Sequence, residues 1–164
     1  MSEQTGLKPH DIASAHVESW RGRCLDFFAR AERAVGQTLE AAVTAGKPVK
    51  LRHLGGQRLV DLTGFAETCG GTAKQVAALR LSLQSWQRVE ARRSFLAHGV
   101  ATTLLDKNAQ WFVTLDFTAY RSNTPVPDRW TLSGSEAAEF ERRLSEAFVG
   151  LTRELGQLKK RLVP

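Results

Sequence analysis

The sequence predicts a mainly α-helical protein, a bundle of about four helices with one β-hairpin inserted before the last. Two observations carry that prediction. Apolar residues recur at three- and four-residue steps along several separate stretches, as a helix with one buried stripe requires. Only near residues 105 to 132 does the spacing shift to two, which is the period of a half-buried strand.

The first helix is expected over residues 11–44. Val17, Trp20, Cys24, Phe28, Ala31, Val35, Leu39 and Ala42 form one continuous stripe. Gly22 weakens it locally without interrupting it. Gly46-Lys47-Pro48 ends it, because glycine accepts a left-handed cap and proline cannot continue a helix. A loop around His53 and Gly55-Gly56 follows, and Gln57 to Cys69 reads as a short helix. Gly70-Gly71 breaks the chain again. Thr72 then caps a second long helix, expected to run from Ala73 to Ala97 with Val76, Leu79, Leu83, Trp86 and Val89 on its stripe.

In AQWFVTLDFTAY the faces alternate. Trp111, Val113, Leu115 and Phe117 share one side, and Phe112, Thr114, Asp116 and Thr118 the other. Asn123 to Asp128 reads as a turn or loop, and Arg129 to Leu132 as a short return strand. Ser133 with Glu136 three residues later is a capping box. It opens a last helix carrying Phe140, Leu144, Phe148, Leu151, Leu155 and Leu158, with Lys159, Lys160 and Arg161 at the negative helix end.

The chain of 164 residues is expected to be a single domain, 1–164, with residues 1–10 flexible and 109–132 the hairpin insertion. Its net charge of +6 invites an anionic partner, although the cations are dispersed. The two cysteines, Cys24 and Cys69, have no metal-ligand spacing and read as buried thiols. The polar start, MSEQTGLKPHD, is not a signal peptide. No apolar run approaches the ~20 residues that span a bilayer, so no membrane association and a cytoplasmic location are expected. There is no glycine-rich phosphate loop, no paired carboxylate site and no Cys/His metal pattern. Neither a cofactor nor a metal is expected. His10 and His16 flank Asp11 near the terminus, and His53 lies in a loop.

The unusual stretch is EARRSFLAHG, Glu90 to Gly99. On an unbroken helix at about 100° per residue, Arg93 falls between Trp86 and Val89, inside the apolar stripe. A guanidinium there is costly unless it is paired or faces a polar cavity. His98 follows by five, about 140° away on the wheel. Gly99 is expected to take positive φ, loosen the last turn and let His98 swing towards Arg93. A plainer role for His98 is to bond the free carbonyls of the helix end.

Arg93-Ser94-Phe95-Leu96-Ala97-His98 resembles the R-x(4–6)-H motif of the HEPN superfamily, helical-bundle proteins of which many are metal-independent endoribonucleases of toxin–antitoxin and antiviral systems. FLAHG after an arginine is similar to the common form of that segment, and its place late in a long helix matches. Ser94 departs from the Asn, Asp or His that often follows the motif arginine. Arg92 also satisfies the spacing; Arg93 is preferred for its stripe position. The resemblance implies attack of an RNA 2′-hydroxyl on the adjacent phosphate, leaving a 2′,3′-cyclic phosphate. Arg93 and His98 would be catalytic, and Arg92 and Ser94 secondary catalytic or phosphate-binding residues. An imidazole exchanges protons at neutral pH, and a guanidinium forks onto phosphate oxygens. One histidine does not serve easily as both acid and base. The resemblance answers this with a homodimer that pairs two motifs across a two-fold axis. RNA, a second copy and an antitoxin are the partners it implies. The alternative it leaves open is a catalytically silent dimer that binds nucleotides or proteins.

Overall fold

The computed structural model describes Gly6 and residues 8–162. In chain order the elements are α1 (Pro9–Thr44), α2 (Gly55–Ala66), α3 (Ala73–Glu90), α4 (Arg93–His98), β1 (Val100–Leu105), β2 (Trp111–Arg121), β3 (Thr124–Ser133) and α5 (Gly134–Leu162). The protein is mainly helical, with one small three-stranded antiparallel sheet. Most of the expected flexible segment lies outside the described residues; Pro9 and His10 already belong to α1. The chain divides into two compact units. One holds the residues up to Leu25 with Arg92–Arg142, the other Asp26–Ala91 with Arg143–Pro164.

The second unit is all helical. The α1 stripe is buried from Phe28 through Ala42, and Leu62, Leu79, Leu83, Leu151 and Leu155 are sealed from solvent. Phe28 meets Trp86 edge-on at 5.5 Å. Burying side chains of this size contributes about 1.5–3 kcal/mol each, which is what holds amphipathic helices together. Gly46 takes φ 71° after α1, the left-handed cap that glycine permits without strain. Thr72 and Gln75 form a reciprocal capping box at the start of α3, satisfying two free amides. Arg52 forks onto Asp61 at 2.6 and 2.7 Å, and this pairing holds the Asp61 carboxyl below the usual carboxylate range.

The first unit carries the sheet, ordered β1-β2-β3. Val113, Leu115 and Leu132 are buried on its inner face, together with Val17, Trp20, Cys24, Phe95, Leu96 and Ala137. Trp20 Nε1 donates to the Ala137 carbonyl at 2.9 Å, which satisfies the one polar atom of a buried indole. Trp111 packs against Gly134, where a Cβ would lie 3.0 Å from the indole.

Two features of the sheet correct the hairpin expectation. A third strand, β1, precedes the hairpin and pairs along its whole length with β2. Asp106 closes their connection, its carboxylate accepting from the Asn108 and Gln110 amides at 2.8 Å. The return strand is also longer than expected, because it begins at Thr124 and includes both prolines. Ser122 and Asn123 take φ 48° and 61°, so a two-residue turn of the primed kind joins Arg121 to Thr124. The pair flanking such a turn is hydrogen-bonded, which puts the nitrogens of Pro125 and Pro127 on the outer side of an edge strand. Further along, the outward N–H of Arg129 donates to Asp128 Oδ1 and that of Ser133 to Glu136 Oε2, both at 2.8 Å. The β3 edge is thereby blunted against pairing with another strand.

Candidate active site

The expected long helix is two helices. Ala91 and Arg92 keep right-handed dihedrals, with Arg92 at φ −94° and ψ −5°, but α3 ends at Glu90 and α4 starts at Arg93. After the break the buried positions are Phe95 and Leu96. Arg93 is only half-buried and already engaged. The expectation of a guanidinium on a fully buried stripe is therefore corrected, because it assumed a helix without the 91–92 break. Arg92, Ser94 and His98 are exposed.

Gly99 differs from its expected role as well. It adopts φ −70° and ψ 141°, an extended conformation open to any residue. Glycine is needed for another reason: a Cβ here would collide with the Phe95 carbonyl oxygen, which accepts the Gly99 amide at 2.9 Å. His98 stays within α4, so no loosened turn carries it towards Arg93. Five helical positions separate them by about 140°.

The carbonyls of Leu96, in the last turn of α4, and of Gly99 just after it are taken by a residue that spacing could not reveal. Arg21, from α1, donates from Nε to the Leu96 carbonyl at 2.5 Å and from Nη2 to the Gly99 carbonyl at 3.0 Å. A planar cation with two parallel donors suits a helix C-terminus in both geometry and charge. The plain capping role is thus filled by Arg21, and the His98 ring makes no hydrogen bond among the described residues. It lies 6.3 Å from the Phe117 ring at 30°.

The aromatic residues of this region carry α4. Phe95 meets Phe117 edge-on at 5.8 Å and Trp130 at 6.0 Å. Trp130 in turn meets Phe140 at 4.9 Å. The Arg92 guanidinium lies 5.2 Å over Trp130 and 5.7 Å over Phe95, a cation–π contact worth about 0.5–1 kcal/mol at an exposed site. Arg92 and His98 therefore both touch one aromatic cluster, Arg92 at Trp130 and Phe95 and His98 at Phe117, which Phe95 joins. The sequence brings Arg93, Ser94 and His98 onto one short helix with Arg92 at its N-cap, and His98 is exposed to solvent. It does not bring Arg93 and His98 face to face.

The remaining candidates have structural partners. His10 Nε2 donates to the Thr103 carbonyl at 3.2 Å, and Asp116 pairs with Arg129 at 2.6 Å. Cys24 is fully buried, and burial pushes its thiol up to about 12, far from a reactive thiolate. Cys69 is half-buried. Among the described residues no three His, Cys, Asp or Glu side chains gather into a group able to hold a metal ion, and no helix is long and apolar enough to cross a membrane. No family model matches this chain, and no curated protein or solved structure is significantly similar to it.

Proposed function

We propose that this protein is a HEPN-like, metal-independent endoribonuclease, a toxin or antiviral-defence component, acting as a homodimer. The observation that carries the proposal is the division of labour at the end of α4. Arg21 caps the helix end through the Leu96 and Gly99 carbonyls, while His98 stands exposed and without a hydrogen bond among the described residues, in a motif whose arginine lies on the same short helix. A histidine kept only as a helix cap would be redundant beside that guanidinium.

In the proposed reaction, neutral His98 takes the proton of an RNA 2′-hydroxyl, whose oxygen attacks the adjacent phosphorus. The bond to the 5′-oxygen breaks, and the leaving oxygen takes a proton from the imidazolium form of the partner's His98. A 2′,3′-cyclic phosphate and a 5′-hydroxyl result. Arg93 stabilises the charge that builds on the non-bridging oxygens, while Arg92 and Ser94 bind phosphate beside it. The 2′-hydroxyl nucleophile restricts the reaction to RNA. The dimer rests on this need for an acid and a base together, since Arg93 is engaged within its own chain. Incubation of the purified protein with mixed RNA in EDTA, followed by mapping of the cleavage ends, tests the proposal.

Ser94 favours a second reading. The serine after Arg93 stands where active members of the family often carry a stronger hydrogen-bonding or ionisable group. On that reading the dimer is catalytically silent and binds a nucleotide or an antitoxin-like protein at the same surface. Retention of a nucleotide without cleavage is its distinguishing result.

A further inference from the structure

The all-helical unit has a groove of 520 Å³ between α3 and α5 whose mixed lining carries three arginines. Arg88 on α3 and Arg143 and Arg153 on α5 rim it, while Ser82, Ser85 and Gly150 lie between them. Arg88 and Arg143 have no hydrogen bond or ion pair among the described residues. Among the described residues Arg153, itself exposed, holds only its largely buried neighbour Glu154, at 2.9 Å. Glu146 also lines the groove and is already engaged, which leaves two guanidiniums with nothing to bind. The cavity beside Arg52 and Arg58 in the same unit differs. There two of the three lining guanidiniums are spent on Asp61 and Glu32, which leaves only Arg33 without a partner among the described residues.

Spacing and lining decide what fits. Ten residues separate Arg143 from Arg153, about 15 Å along the axis of α5. A single phosphate cannot touch both, whereas a chain of phosphates can. No aromatic ring lines the groove, so nothing there stacks a base. Guanidiniums fork onto phosphate oxygens with two parallel hydrogen bonds, and the surplus charge of +6 draws a polyanion in.

We infer that this groove holds the phosphodiester backbone of single-stranded RNA, gripped by Arg88, Arg143 and Arg153. The choice of RNA over other polyanions rests on the ribonuclease proposal; the grip on successive phosphates rests on the groove itself. The strand is held without regard to sequence, because phosphate contacts carry no base information.

The test measures binding of a fluorescein-labelled 2′-O-methyl oligouridylate, which lacks the 2′-hydroxyl and cannot be cut, by anisotropy over a salt series. In the parent, log K falls linearly with log salt. The triple variant Arg88→Ala/Arg143→Ala/Arg153→Ala loses three phosphate contacts, so its slope becomes shallower by about 2, with at least a tenfold loss of affinity at low salt. All three side chains are exposed, and thermal unfolding confirms that the variant folds. The triple lysine variant keeps the slope and loses less affinity. An alanine variant with the parent's slope and affinity overturns the inference. So does a parent that binds polyglutamate but not the oligonucleotide. Parent binding with no cleavage of ordinary RNA leaves the groove standing and removes the nuclease proposal; cleavage with groove-independent binding does the reverse.

Discussion

The guanidinium of Arg21 donates to the Gly99 carbonyl at 3.0 Å while its Nε holds the Leu96 carbonyl. A residue of α1 therefore secures the end of α4, across more than seventy positions of chain. Arg21→Ala should leave those carbonyls unsatisfied and cost about 1–3 kcal/mol. Amide hydrogen exchange of His98 and Gly99 should accelerate selectively. Exchange unchanged across α4 would show that the guanidinium does not restrain it.

Gly99 provides a second test, of close approach and not of handedness. Its φ is an ordinary −70°, yet a Cβ would strike the Phe95 carbonyl oxygen. Gly99→Ala should destabilise the protein on the order of 2–4 kcal/mol, as substitutions that force backbone apart do. A change within about 0.5 kcal/mol, typical of a free surface position, would contradict the packing described.

The cysteines should differ in chemistry. Cys69 is half-buried and Cys24 sealed, so a thiol alkylating reagent at neutral pH should modify Cys69 alone until the chain is unfolded. The Cys24 thiol lies at about 12 in the folded chain against a reference of 9.0. The folded state therefore holds that proton more tightly. The stability this confers is complete below pH 9 and is lost as the pH rises from 9 towards 12. The loss is on the order of 4 kcal/mol if the full difference is expressed. Denaturant midpoints of Cys24→Ala against the parent should converge across that interval. Parallel curves would remove the assignment.

Much of the helical framework was legible in the sequence, and the reasons are physical. The α1 stripe has one period over many turns, and the Thr72 and Ser133 caps carry side-chain hydrogen bonds that local sequence specifies. β1 was not legible, because as an edge strand it leaves Val100 and Leu104 exposed at 69% and 49%, so burial does not alternate in step with polarity. Pro125 and Pro127 concealed the start of β3, since proline argues against a strand unless it lies on an edge. The break at Ala91-Arg92 involves neither glycine nor proline, so nothing in spelling marked it. Arg21 was invisible for a different reason: its partners are carbonyls brought near only by folding.

Metal dependence separates nuclease classes. In the proposed reaction Arg93 and His98 supply charge and proton transfer without a metal ion, so RNA cleavage should persist in EDTA. Loss on chelation with recovery in magnesium or manganese would assign the activity to other residues.

His98→Ala tests the central claim most directly. Among the described residues the exposed ring carries only its contact with Phe117, so folding stability should change by no more than about 1 kcal/mol. Cleavage yielding 2′,3′-cyclic phosphate ends should fall by at least the ~10²-fold typical of a lost general acid–base group. A His98→Ala protein that is folded and cleaves RNA at the parent's rate would contradict the account.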